Sequence, residues 1–336
     1  MITLGIETSC DETAVAVIED GFTVRANLIA AQVHLHERFG GVVPEVAARA
    51  HVEALNPLMA EALEAAGLSG FGEIDGVAVT VGPGLVGALL VGMAAAKGVS
   101  LATGADLIGV NHLEGHIWAN FLTHGPPEPP SIALVVSGGH TMIVHMPELF
   151  RYEVLGQTLD DAAGEAFDKV ARLIGLGFPG GPALDEMSRE GDPHAIAFPR
   201  SMERSGDFDF SMSGLKTAVL RYVKTERAAG RTIVLPDLAA SFQEAIVDVQ
   251  VSKTIEAARQ HRVGTVLLGG GVVANTRLRE RMERDGTALG LRVLFPPPEL
   301  CTDNAAMIAC VGAARLARGD RSSLDIGADP NFGLAS

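Results

Sequence analysis

Two histidines four positions apart give the first chemical lead. In Asn111-His112-Leu113-Glu114-Gly115-His116 a helix would set both imidazoles on one face, close enough to share one metal ion. In an HExxH zinc site the glutamate directly follows the first histidine. Here Glu114 comes two residues later and points elsewhere around the helix, so a peptidase with a glutamate base fits poorly. A third ligand is available from Cys301-Thr302-Asp303-Asn304, ahead of the helical run Ala305-Ala306-Met307-Ile308-Ala309, with Asp303 the candidate. Thr302 and Asp303 are equally suited to capping that helix, and the two histidines, taken alone, suit packing as well as ligation. Two histidines and a carboxylate with open positions suit iron or zinc carrying a small oxygen ligand.

The second lead is a set of three polar tips at strand ends. Glu7-Thr8-Ser9-Cys10-Asp11-Glu12 separates the apolar runs Ile2–Ile6 and Thr13–Ile18. Ser137-Gly138-Gly139-His140-Thr141 separates Ile132–Val136 from Met142–His145. Gly269-Gly270-Gly271 leads through Val272-Val273-Ala274 to Asn275. Glycine lets the backbone approach phosphate oxygens, and bare N–H groups at turns donate to them. Neither a GxxxxGK[ST] loop nor a GxGxxG after the first strand is present. Asp11 and Glu12 on the first tip are candidate proton acceptors, with loop hydrogen bonding as the plainer role. Asp168, in the helical run that starts at Asp161, could take a ribose hydroxyl or an amino group, or pair with Arg172. Phe178-Pro179-Gly180-Gly181-Pro182 makes a rigid turn, with Asp185 just beyond it.

These residues need elements to carry them. Strands at 77–81 and 107–110 alternate with helices at 44–68 and 85–102, and the strand–tip–strand pattern of residues 2–18 recurs about 130 residues later. That repetition predicts two related lobes. Pro126-Pro127-Glu128-Pro129-Pro130 is the strongest linker signal, giving a first lobe over 1–125 with the metal helix and a second over 131–336 with the glycine tips; a last helix over 304–318 is expected to pack back on the first lobe. The layout resembles the α/β actin, hexokinase and Hsp70 ATPase architecture, with two ribonuclease-H-like lobes around a nucleotide and metal cleft.

Composition narrows the classes. The 336 residues carry 26 Lys+Arg against 41 Asp+Glu, a net charge of −15, which excludes gripping a nucleic acid with the whole surface. Local basic strips remain, at 200–231 and at 277–292. Three cysteines without a CxxC pair exclude a disulfide framework and a zinc knuckle. The uncharged stretch 76–96 is broken by Gly82-Pro83-Gly84 and reads as strand, turn and core helix rather than a membrane span. No secretory leader is evident, so a cytoplasmic location is expected.

Several segments together resemble one family. They are Gly5-Ile6-Glu7-Thr8-Ser9-Cys10-Asp11-Glu12-Thr13, Gly40-Gly41-Val42-Val43-Pro44-Glu45, Gly82-Pro83-Gly84-Leu85, His112–His116, Ser137–Thr141, Asp160–Lys169, Phe210-Ser211-Met212-Ser213-Gly214-Leu215-Lys216 and Cys301–Asn304. In this order and at compatible spacing they resemble the tRNA N6-adenosine threonylcarbamoyltransferases, a family once mislabelled as O-sialoglycoprotein endopeptidases, over residues 2 to about 320. The bacterial branch is the nearer one: Val135 stands where archaeal and eukaryotic members typically have a tyrosine that can reach the metal. The resemblance implies metal ligands at His112, His116 and Asp303, and one divalent ion per subunit, Fe(2+) in preference to Zn(2+). It implies substrate contacts at Val135, Val136, Ser137, Gly138, Gly139, Asp168, Gly181, Asp185 and Asn275. It further implies transfer of threonylcarbamoyl from threonylcarbamoyl-adenylate to the adenosine just 3′ of the anticodon in tRNAs reading codons that begin with A, with release of AMP. The implied partners are tRNA, a shorter inert paralogue docked through helices of the first lobe, and a P-loop ATPase subunit. The rival expectations are a zinc metallopeptidase and a nucleotide-binding scaffold without acyl transfer.

Overall fold

Strand residues buried on both faces mark the centre of each sheet. In the computed structural model, which describes residues 1–126 and 128–334, β1 (Ile2–Glu7) is such a strand. Antiparallel β2 (Glu12–Glu19) and β3 (Thr23–Ala31) follow on one side, and parallel β4 (Gly76–Gly82) and β5 (Asp106–Asn111) lie on the other, in the order β3-β2-β1-β4-β5. The second half repeats the plan. β6 (Ser131–Val136) is central, β7 (Thr141–Glu148) and β8 (Arg151–Gln157) are antiparallel neighbours, and β9 (Thr265–Gly269) and β10 (Arg292–Leu294) run parallel, in the order β8-β7-β6-β9-β10.

Helices complete the two units. They are α1 (Val33–His36), α2 (Pro44–Ala65), α3 (Val86–Thr103), α4 (His112–Trp118), α5 (Phe121–His124), α6 (Ala163–Ile174), α7 (Gly180–Ser188), α8 (Ser213–Ala228), α9 (Leu235–His261), α10 (Thr276–Ala288) and α11 (Ala305–Ala317). Unit one comprises residues 1–126 and 296–334, and unit two residues 128–295. Pro127 of the expected linker and residues 335 and 336 of the expected second lobe lie outside the described residues.

In unit one, alternate residues of β1 face different layers. Leu4 and Ile6 join Leu55 and Met59 of α2 and Met93 of α3 in one apolar cluster. Gly5 faces α11, where a Cβ would lie 2.3 Å from the Ala305 carbonyl oxygen, and one on Gly312 would lie 2.2 Å from the Ala78 Cβ. Small residues on strand and helix therefore let α11 lie almost on the sheet backbone, which is why residues 296–317 fold with the first unit. α3 is long and apolar enough to cross a membrane by length and composition alone. One side of it packs on β4 and α2, while Val86, Leu90 and Leu101 are exposed. Beyond α11 the chain runs without regular structure along β4 and β5, where Ser322 N donates to Leu107 O and Asp329 N to Val81 O. In unit two, the 27-residue α9 packs on β6 and carries α7 and α10 beside it.

Candidate metal centre and nucleotide-binding residues

The metal candidate is built at a helix start. Asn111 ends β5 and caps α4, its Oδ1 accepting from Leu113 N at 2.8 Å and Glu114 N at 3.3 Å. Helical periodicity then stacks the two imidazoles edge to face, with centroids 4.6 Å apart. The helix-capping role near Asp303 falls to Asn304, which accepts from Met307 N at 3.0 Å. Asp303 Oδ1 instead lies 3.3 Å from His116 Nε2 and 3.5 Å from His112 Nε2. One ligand atom from each of the three lies within 4.8 Å of the others.

The surroundings orient this set. His112 Nδ1 is 3.0 Å from Glu7 Oε2 and 3.2 Å from Ser9 Oγ, and Glu7 is itself fully buried, accepting from Ser9 N and Thr80 Oγ1. A carboxylate behind a histidine fixes its tautomer and turns the other nitrogen outward. Burial opposes charge on His112, but Asp303 and Glu7 outweigh it and hold the imidazole at about 9. Burial pushes His116 down against the pull of Asp303, and its buried ring nitrogens have no hydrogen-bond partner of good geometry among the described residues, Nε2 lying 3.3 Å from Asp303 Oδ1. Burial, then Asp303 and Asp11, push Glu12 up to about 10. Crowded carboxylates around two buried imidazoles fit a cation at this point. Glu114 is not part of it: both its oxygens accept from Arg315 Nη2, at 2.9 and 3.0 Å, so the base that a metallopeptidase needs is engaged with α11.

The tip holding Asp11 and Glu12 is pinned from α2. His51 Nε2 donates to Cys10 O at 3.0 Å while its Nδ1 accepts from Thr13 Oγ1 at 2.7 Å. Leu85 N, at the start of α3, donates to Ser9 O at 2.8 Å.

In unit two, Val135 and Val136 are fully buried in β6, and the chain surfaces at Ser137–Gly139. Ser137 N donates to His140 O at 2.8 Å, closing the turn, and space is open where side chains of Gly138, Gly139 and Gly181 would stand. Gly270, at φ +98°, carries the third tip against β6; a Cβ there would lie 2.4 Å from Val136 O. Asp168 Oδ1 accepts from Gly180 N at 2.7 Å and so fixes the start of α7. Asp185 Oδ2 accepts from Thr276 Oγ1 at 3.0 Å and from Arg189 at 3.2 Å, whereas Oδ1 is buried with no hydrogen-bond partner among the described residues. Asn275 caps α10, its Oδ1 accepting from Leu278 N at 2.9 Å. Asp185, Ser188, Arg189, Gln243, Thr276 and Arg277 line a cavity of about 320 Å³.

The basic stretches separate on structure. Arg277 and Arg281 pair with Glu244 of α9, Arg281 and Arg200 pair with Asp248, Lys216 pairs with Asp161, and Arg231 with Glu226. Arg204, Arg221, Lys224 and Arg227 are exposed and make no ion pair among the described residues.

Two residues beside these sites are not candidates in the sequence. Glu7 ends β1 and opens the first polar tip, but nothing local pairs it with His112, 105 positions on, and Gln243 lies inside a helix with no diagnostic spacing.

Comparison with known proteins adds the following. A family model described as tRNA N6-adenosine threonylcarbamoyltransferase matches residues 23–310. A Clostridium perfringens protein of that name is 50% identical over 333 residues, spanning 99% of this chain and 98% of the relative. One from Moorella thermoacetica is 53% identical over 331 residues, 98% and 96% of the two chains. Among solved structures, HypF of T. kodakarensis gives a TM-score of 0.64 at 15% identity, covering 94% of this chain and 48% of its own. Component A of the Acidaminococcus fermentans (R)-2-hydroxyglutaryl-CoA dehydratase gives 0.57 at 17%, covering 94% and 99%. At such identities these two show the shared fold, the α/β actin, hexokinase and Hsp70-like ATPase class.

Proposed function

This chain belongs to the tRNA N6-adenosine threonylcarbamoyltransferase family, and we propose that it takes threonylcarbamoyl from threonylcarbamoyl-adenylate, passes it to N6 of the adenosine just 3′ of the anticodon, and releases AMP. The observation that carries the site assignment is the grouping of His112, His116 and Asp303 with ligand atoms within 4.8 Å of one another. These three would hold one divalent ion. When bound, such an ion supplies Lewis-acid polarisation of a carbonyl oxygen and stabilises developing negative charge. Two histidines and a carboxylate with open positions accept iron or zinc, and the family resemblance favours Fe(2+) ahead of Zn(2+).

The protein's own groups do the rest. Backbone N–H groups at Gly138 and Gly139 suit phosphate oxygens, and the buried Asp185 Oδ1, without a hydrogen-bond partner among the described residues, suits a ribose hydroxyl. Asp168, Gly181 and Asn275 complete the nucleotide contacts. An adenine amine is a weak nucleophile and a phosphate a good leaving group, so orientation supplies much of the rate and little leaving-group protonation is needed. Asp11 and Glu12 are the carboxylates that would take the amine's proton, Glu12 only once a bound cation offsets the burial and the neighbouring carboxylates that push it up.

The acceptor is a polyanion and the chain is acidic, which favours the unpaired cations of α8, Arg221, Lys224 and Arg227, as its contacts. The exposed apolar residues Val86, Leu90 and Leu101 of α3 suit a docked protein, the role we assign to the inert paralogue. A P-loop ATPase subunit and a cytoplasmic location complete the reading. The deciding experiment is a single-turnover assay with threonylcarbamoyl-adenylate and unmodified tRNA, with and without the partner subunits. Modified adenosine with wild type and none with His116→Ala is the expected result; no modification with all partners present would overturn the reading.

A further inference from the structure

Asp185 and Asn275 belong to different elements, and one side chain ties them together. Gln243, near the start of α9, is 4% exposed, and a primary amide so buried is costly unless both its ends are bonded. They are. Asn275 Nδ2 donates to Gln243 Oε1 at 2.6 Å, and Gln243 Nε2 donates to Ser188 Oγ at 2.8 Å. Ser188 Oγ in turn donates to the Asp185 carbonyl at 2.7 Å. Thr276, next to Asn275, returns to Asp185 Oδ2 at 3.0 Å and closes the ring.

The polarity of this chain is forced at both ends by the backbone. The Asp185 carbonyl can only accept, so the Ser188 hydroxyl donates to it and must accept from Gln243. At the other end Leu278 N can only donate, at 2.9 Å, so Asn275 presents Oδ1 to it and Nδ2 to Gln243. Flipping either amide would set donor against donor. Gln243 thus holds Asn275 in one orientation and anchors it to the turn of α7 that carries Asp185.

We infer that Gln243 is a positioning residue for the nucleotide part of the donor, fixing Asn275 relative to Asp185, which lines the 320 Å³ cavity together with Gln243 and Thr276. The inference rests on the reading that Asp185 and Asn275 contact the nucleotide. It assigns Gln243 no contact with reacting atoms, so its loss acts on binding and leaves the chemical step alone.

The test uses the full chain with its partner subunits, AMP as the probe by calorimetry, and steady-state kinetics with the donor varied. Gln243→Leu is expected to weaken AMP binding and raise KM for the donor about tenfold, with kcat at saturating donor and metal stoichiometry unchanged. In the double variant Gln243→Leu/Asn275→Ala the two losses in AMP affinity should be less than additive, because part of the glutamine's effect passes through the asparagine. Should Gln243→Leu not fold, Ser188→Ala cuts the same chain one link away and should shift KM in the same direction. A folded Gln243→Leu that binds AMP like wild type, while Asp185→Ala and Asn275→Ala bind it weakly, overturns the inference alone. Wild-type AMP binding by Asp185→Ala and Asn275→Ala would instead overturn the nucleotide reading on which it stands.

Discussion

Glu7 Oε2 lies 3.0 Å from His112 Nδ1, and the opposite nitrogen of that ring, Nε2, lies 3.5 Å from Asp303 Oδ1. A strand residue therefore sets the aim of a helix residue. Replacing the carboxylate by an amide keeps the shape and removes the charge that holds the ring. Glu7→Gln is expected to lower metal affinity by about 10- to 100-fold while the circular dichroism stays native. Metal content after dialysis at controlled free ion concentration checks this, and an unchanged affinity would show that Glu7 does not orient the ligand.

Glu114 is 1% exposed and takes two hydrogen bonds from Arg315. Removing one partner of such a pair strands the other charge. Glu114→Ala should cost roughly 3 kcal/mol of stability. The folded fraction should keep its full metal stoichiometry, since the carboxylate faces α11. Denaturant melts and metal analysis on the same sample separate the two effects; metal loss without destabilisation would show that Glu114 takes part in holding the metal.

Acid should unfold the second unit through α9. Burial works against charge on Glu244, but hydrogen bonds from Arg277 and the charges of Arg277 and Arg281 hold its carboxyl below the ordinary range. A depressed folded pKa contributes stability that is complete above the unfolded value, about 4.3, and is lost as pH falls through the lower folded value. Glu244→Gln should thus lower Tm at pH 7, and the gap from wild type should narrow below about pH 4. A gap that is constant with pH would mean that packing rather than charge is at stake.

Overfilling one strand position should disable the metal centre from a distance. A Cβ on Gly5 would lie 2.3 Å from the Ala305 carbonyl oxygen, at the first turn of α11 and two residues past Asp303. Gly5→Ala is expected to displace that turn and cost about 1–3 kcal/mol. Metal affinity should fall with it. Native affinity in a destabilised variant would show that Asp303 is held independently of the strand contact.

What could be read in the sequence follows from how local each signal is. The continuous apolar runs of β1, β4 and β6 are the signature of strands covered on both faces, and they stand out. β3, β8 and β10 do not: they are outer strands with exposed polar positions, and β10 has only three residues. The four-residue spacing of His112 and His116 is visible because helical geometry alone sets it. The pairing of Glu7 with His112 spans 105 positions and depends on strand order, which no local period encodes. Basic character at 277–292 looked available for an anion. In the folded chain much of it is neutralised by Glu244 and Asp248, carboxylates on a buried helix that a charge count cannot place.

The first unit is closed by residues that come after the whole of the second. Asp303 emerges from the ribosome some 190 positions later than His112 and His116, and β1 and β4 must wait as long for the helix that covers their glycine and alanine face. During synthesis, the first 126 residues therefore form a sheet with one side bare and two imidazoles without their carboxylate. A message cut short anywhere in the second unit yields a product that has His112 and His116 without Asp303, and β1 and β4 without the helix that covers them.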